Sequence, residues 1–144
     1  MARIMITEDE RLIAEDLKMT LQAFGHEIVG IASTGEKAVE IARELNPDII
    51  FMDIKLEGRI SGIDAAKKIR GLIDSAIVFC TAYSDDLTIL QISTVSPDGY
   101  VAKPFHESEV KKILKKLSDS RRKSLSNAFH ENEFKEQDLV FNAV

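Results

Sequence analysis

Asp48-Ile49-Ile50-Phe51-Met52-Asp53 sets four large apolar side chains between two carboxylates. A run this short and this continuously apolar, entered from Asn46-Pro47, reads as a β-strand buried on both faces. Such a strand needs helices above and below it, and the sequence on either side supplies them. Upstream, Val39, Ala42 and Leu45 recur at helical spacing until Asn46-Pro47 stops the pattern. Downstream, Ile63, Ala66, Ile69 and Ile73 form a second apolar stripe.

The same alternation extends over most of the chain. Candidate strands are Arg3–Thr7, Glu27–Ala32, Asp48–Met52, Ala76–Cys80 and Gly99–Ala102. Ile13, Leu17, Leu21 and Phe24 share one face of a first helix, and Val110, Ile113, Leu114 and Leu117 share one face of a last. A fourth helix is expected after Ser84, which suits an N-cap, with Asp85 and Asp86 at the positive end of its dipole. Its later part, Ile92-Ser93-Thr94-Val95, is β-branched and forms helix weakly. Five strands alternating with five helices predict an α/β fold with a parallel sheet covered on both faces.

The 144 residues allow one domain and a short extension, with 44% hydrophobic and 30% charged residues. No apolar run reaches the roughly 20 residues of a membrane span, and the N-terminus does not resemble a signal peptide. A cytoplasmic location is the default expectation. The net charge of −5 argues against direct nucleic-acid binding as the main task. Cys80, the single cysteine, sits in an apolar run and reads as a buried small hydrophobe.

In parallel α/β sheets, sites form beyond the carboxyl ends of the strands. Glu8, Asp9 and Glu10 follow the first strand, Asp53 the third, Thr81 and the small Ala82 the fourth, and Lys103 the fifth. Gathered carboxylates repel one another and favour a hard cation, for which Mg²⁺ with its preference for oxygen ligands is suited. Beside such a cation Asp53 is placed to attack a phosphoryl donor as a nucleophile. Thr81 and Lys103 are then placed to meet phosphoryl oxygens, and Ala82 leaves room for the group. Each residue alone has a plain reading: a solvated acidic loop, a strand-ending aspartate, a turn threonine, a surface lysine. Their joint placement at four strand ends favours the chemical reading.

From about Arg3 to Ser118 the chain resembles the receiver domains of response regulators in two-component signalling. The acidic pair after the first strand carries the resemblance, together with Phe51-Met52-Asp53-Ile54, Thr81-Ala82 and Gly99-Tyr100-Val101-Ala102-Lys103-Pro104-Phe105. It implies a flavodoxin-like doubly wound sheet of order 2-1-3-4-5. By position, Asp53 matches the phosphoacceptor, Glu8 and Asp9 the acids that place Mg²⁺, and the main-chain carbonyl of Lys55 a further metal ligand. Thr81 and Lys103 match the hydroxyl and the lysine that contact the phosphoryl group. Tyr100 matches an aromatic that swings inward with the threonine, with a tyrosine packed in the core as the alternative. Lys103-Pro104 matches a bond that is typically cis. Two departures stand out: Glu8 where many relatives have aspartate, and a loop Lys55–Gly62 that lacks a common proline and is one residue longer.

The resemblance implies a phosphohistidine donor on a histidine kinase or phosphotransfer protein, and an output domain or effector protein as the receiver of the signal. His26, His106 and His130 lack a catalytic or metal-binding neighbourhood and read as structural. An enzyme of the haloacid-dehalogenase type needs a second acid where Lys55 stands, so a signalling domain that promotes its own phosphoryl transfer and dephosphorylation is expected instead. A receiver-like interaction module working without phosphorylation is the alternative. The domain is expected over 1–119, and 120–144 as a helical connector or tail. Lys111, Lys112, Lys115, Lys116, Arg121, Arg122 and Lys123 read as a solvated helix face. Leu125 and Phe129 lie at helical spacing, and the segment ends on an apolar run over 139–144. It is expected to lead toward a further domain, or else to pack on itself or on a second copy as a homodimer.

Overall fold

The computed structural model describes residues 1–82 and 86–120, the side chains of 86–88 excepted. Ser84, Asp85 and the Asp86 carboxylate therefore lie outside the described residues, as do Arg121, Arg122, Lys123, Leu125, Phe129, His130 and nearly all of the expected connector. The elements run β1 (Arg3–Thr7), α1 (Arg11–Ala23), β2 (Glu27–Ala32), α2 (Gly35–Leu45), β3 (Ile49–Asp53), α3 (Gly62–Arg70), β4 (Ala76–Thr81), α4 (Asp86–Ser93) and β5 (Gly99–Ala102). A fifth helix, α5, occupies 107–120. The strands form one sheet in the order β2-β1-β3-β4-β5, every neighbouring pair parallel. This is the flavodoxin-like order expected from the resemblance.

Strand alternation divides the core into two layers. Ile4, Ile6, Phe51 and Val78 pack with Leu17 and Leu21 of α1 and with Val110, Ile113, Leu114 and Leu117 of α5. Met5, Ile50, Met52, Ile77 and Phe79 pack with α2, α3 and α4 on the other side. Every β3 residue is buried, as its continuous apolar run requires.

The expected boundaries shift at two strand ends. β3 was expected over Asp48–Met52, but Asp53 closes its ladder by pairing with Cys80. Asp48 precedes the paired residues, although its amide donates to the Arg3 carbonyl at 2.8 Å, its carbonyl accepts from the Ala76 amide at 3.0 Å and its carboxylate accepts from the Arg3 amide at 2.8 Å. β4 likewise extends to Thr81, which pairs with Ala102. Asp53 and Thr81 are thus fixed by the sheet itself.

Leu17, Leu21, Ala42, Ile63, Ala66 and Ile69 are buried as their stripes predict, and alanines outside the stripes join them in α1 and α2. In α1 Ala14 is buried where Ile13 is half-buried, and in α2 Ala38 and Ala42 face the sheet while Val39 and Leu45 are half-buried. Small residues let the α2 backbone lie close to the strands. Asn46 ends α2 in the left-handed region at φ 46°, ahead of Pro47. Ile73 lies beyond the end of α3. The α5 stripe is buried at all four expected positions.

Between β3 and α3 two stretches of backbone approach each other closely. A Cβ on Gly62 would stand 1.8 Å from the Asp53 carbonyl oxygen, and the Gly62 amide donates to the Ile54 carbonyl at 2.9 Å. Ser61 and Asp64 then cap α3 reciprocally. Gly62→Ala must force the helix start away from the end of β3. A loss of about 3 kcal/mol or more is expected, read as a lowered urea midpoint.

Candidate functional site

Parallel pairing brings four loops together at the carboxyl edge of the sheet. The Glu8 amide donates to the Ala32 carbonyl at 2.9 Å and the Lys103 amide to the Thr81 carbonyl at 2.9 Å, so both residues continue the ladder past its last pairs. Their side chains converge on Asp53. Lys103 Nζ donates to Asp53 Oδ2 at 2.9 Å and also to Glu8 Oε1. The three side chains are largely sheltered, with 14% of Lys103, 4% of Glu8 and 10% of Asp53 exposed.

Glu8, Asp9 and Asp53 each place a carboxylate oxygen within 4.8 Å of the others. The single lysine ammonium cannot balance three such groups if all are ionised. Burial, and after it the Asp53 carboxyl alongside, pushes the Glu8 carboxyl up to about 8. Burial works against the charge on Lys103, but its hydrogen bonds to Glu8 and Asp53 and the attraction of those carboxylates more than offset it and raise its pKa. Glu8 Oε2 is buried without a hydrogen-bond partner. An unsatisfied acceptor beside two further carboxylates fits a small oxygen-liganded cation.

Thr81 lies at the end of β4, partly exposed, with Ala82 exposed beyond it. On the α4 side of Thr81 is a cavity of about 470 Å³, bounded by Ile89, Ile92, Pro97, Tyr100 and Val101. Tyr100 is 63% exposed, so the core-packed alternative is set aside. The Lys55 side chain is exposed on the β3–α3 loop. The Lys103-Pro104 bond is cis, as the resemblance implied. The sequence reading therefore brings Glu8, Asp9, Asp53 and Lys103 into one cluster, with Thr81 at the neighbouring strand end.

Of the residues read as structural, Cys80, His26 and His106 are among those described. Burial is the first cause raising the Cys80 thiol pKa far above its usual range, so a reactive thiolate is disfavoured. His26 Nδ1 accepts from the Ala2 amide at 3.0 Å, and burial lowers its pKa. The His106 carbonyl accepts from the Glu109 and Val110 amides at the start of α5.

Glu36 was passed over in the sequence. From the first turn of α2 its Oε1 accepts the Arg59 amide of the β3–α3 loop at 2.7 Å. The signals available were the acid behind Thr34-Gly35 and the glycine at Gly58, neither of which reveals its partner.

The chain matches known proteins over this whole region. The family described as response regulator receiver domain matches residues 4–115. The chain is 40% identical over 108 residues to the transcriptional regulatory protein PdtaR of Mycobacterium tuberculosis, covering 75% of this chain and 52% of that protein. It therefore spans about half of PdtaR's length. It is 33% identical over 117 residues to the chemotaxis protein CheY of Thermotoga maritima, covering 81% of this chain and 97% of CheY. Among solved structures, the signal receiver domain of a modulated diguanylate cyclase from Desulfovibrio desulfuricans superposes with a TM-score of 0.80 at 30% identity. That superposition covers 86% of this chain and 98% of the other.

Lys103→Met should leave the Glu8–Asp53 cluster without its ammonium. Removing one partner of a buried pair costs up to about 3–5 kcal/mol, and about 2 kcal/mol is expected here because Glu8 can take up a proton. Denaturant unfolding in chelator should show that loss, and added Mg²⁺ should restore more stability to the variant than to the native chain.

Proposed function

The chain belongs to the response regulator receiver domains, and on that premise we propose that Asp53 accepts a phosphoryl group from a phosphohistidine on a histidine kinase or phosphotransfer protein. The family is one of phosphoacceptor signalling domains rather than conventional enzymes. The observation that supports the finer assignment is the meeting of Glu8, Asp9, Asp53 and Lys103 at the carboxyl edge of the sheet.

In this reading Glu8, Asp9, Asp53 and the Lys55 main-chain carbonyl hold Mg²⁺. When bound, Mg²⁺ neutralises charge on the transferred phosphoryl oxygens. An Asp53 carboxylate oxygen attacks phosphorus, the P–N bond of the donor breaks, and the imidazole keeps the bonding electron pair. The product is an acyl phosphate on Asp53. Lys103, already bonded to Asp53, pairs with one phosphoryl oxygen, and the Thr81 hydroxyl donates to another. Ala82 offers no bulk against the incoming group.

The same reading supplies a switch. Added negative charge at Asp53 draws Thr81 and Lys103 toward it. The exposed Tyr100 ring stands beside the cavity that shares Thr81 as a wall, and it turns inward as Thr81 moves. The face formed by α4, β5 and α5 then presents a different surface to an output domain or effector protein. The segment 120–144 serves as the connector in this arrangement.

Intact mass after treatment with a small phosphoryl donor and Mg²⁺ tests the acceptor. One added phosphoryl group is expected for the native chain, and none for Asp53→Asn or in chelator. No addition to a folded native chain in Mg²⁺ would favour the phosphorylation-independent interaction module. Thr81→Ala should still accept the group yet lose most of the phosphorylation-dependent change in partner affinity. An unaltered affinity change in that variant would remove Thr81 from the switch.

A further inference from the structure

The loop of residues 54–61 carries Lys55 out of β3 past the acidic cluster and back into α3. Its base is closed by the Gly62 amide on the Ile54 carbonyl, and Ile54, Leu56 and Ile60 pack against the core layer on the α2 and α3 side. Its tip has no such packing, because Glu57, Gly58 and Arg59 are exposed. A solvated tip of this kind is ordinarily free to move.

Here α2 holds it. Thr34, the N-cap of α2, forms a parallel bridge with Glu57. Two residues on, Glu36 Oε1 accepts the Arg59 amide at 2.7 Å. The Glu36 carboxyl is lowered below its ordinary pKa by its own amide first, then by the amides of Arg59 and Ile60, so its charge is what these donors favour.

Two glycines make this contact possible. A Cβ on Gly58, whose φ is +102°, would stand 2.6 Å from Glu36 Oε2. A Cβ on Gly35 would stand 2.6 Å from Ile60 Cγ1. The loop and the start of α2 are thus fitted to each other on both sides, with a carboxylate as the polar clasp.

We propose that Glu36 is a positioning residue for the phosphoacceptor site: it clasps the β3–α3 loop so that the Lys55 main-chain carbonyl is presented to the cation. This rests on the Mg²⁺ reading given under Proposed function. Glu36 itself touches neither the cation nor the phosphoryl group. Its effect passes from the Arg59 amide along the loop to Lys55, whose side chain is not required. The tip, which is exposed and carries no proline, is restricted by this tether rather than by its own backbone.

The test combines Mg²⁺ titration calorimetry with amide hydrogen exchange on the native chain, Glu36→Ala and Glu36→Gln. Residues that orient metal ligands commonly alter affinity by 10–100-fold, and about tenfold weaker Mg²⁺ binding is expected for Glu36→Ala. Glu36→Gln keeps an acceptor oxygen for the Arg59 amide and should restore most of that affinity. Exchange at Arg59 should quicken in the alanine variant alone, while the core amides of β1 and β3 keep their protection. Native Mg²⁺ affinity in Glu36→Ala would overturn the proposal. Equal weakening in both variants would also overturn it, because the charge rather than the clasp would then be acting. If the native chain binds no Mg²⁺, the Mg²⁺ reading fails and takes the Lys55 assignment with it, while Arg59 exchange still shows whether Glu36 holds the loop.

Discussion

Three carboxylates brought within 4.8 Å of one another, on residues that are mostly buried, demand positive charge. Lys103 meets part of that demand by bonding to Glu8 and Asp53 together. What remains appears as the raised Glu8 carboxyl and its unsatisfied Oε2. The surrounding fold can be understood as the means of holding these like charges at one edge. Both acids emerge from strands in the middle of the sheet, where burial on either face leaves their backbones little freedom. Lys103 reaches them from beyond β5, across the end of β4.

Around this charged cluster the structure is graded in rigidity by packing. β1 and β3 are almost wholly buried, and Gly62 lets α3 begin directly against the Asp53 carbonyl. On the other flank, α4 contributes few buried side chains among the described residues, and a cavity of about 470 Å³ lies between it and β5. This space opens to the surface beside exposed Ile89 and Tyr100. The neighbouring Tyr100 ring, 63% exposed, has a body suited to an apolar environment and a hydroxyl suited to water. Under the proposed switch, Thr81 would stand between this open flank and the packed strands β1 and β3.

Much of this was legible beforehand because parallel α/β sheets write themselves strongly into sequence. The continuous run Ile49–Met52 has few readings other than a doubly covered strand, and the α5 stripe is buried at every position its period marks. Errors fell where propensity and tertiary contact compete. Asp48 was placed in the strand, and its main chain does bond to Arg3 and Ala76, but β3 runs from Ile49 to Asp53. In α1 and α2 the expected stripes held Leu17, Leu21 and Ala42, all buried, but left out Ala14 and Ala38. The sheet accepts Ala14 beside the two leucines of α1, and Ala38 beside Ala42 in α2, where small residues let the helix lie close.

The sequence by itself determined the element order, the four chemical positions at the strand ends and the family resemblance, because each is local or repeats at fixed spacing. Only the tertiary structure decided that Lys103 bonds to Glu8 as well as Asp53, residues 95 and 50 positions away along the chain. It alone decided that Tyr100 faces outward and that Glu36 reaches the Arg59 amide. Those outcomes depend on which loops the crossovers bring together and on how closely two glycines allow them to approach. No periodicity encodes either one.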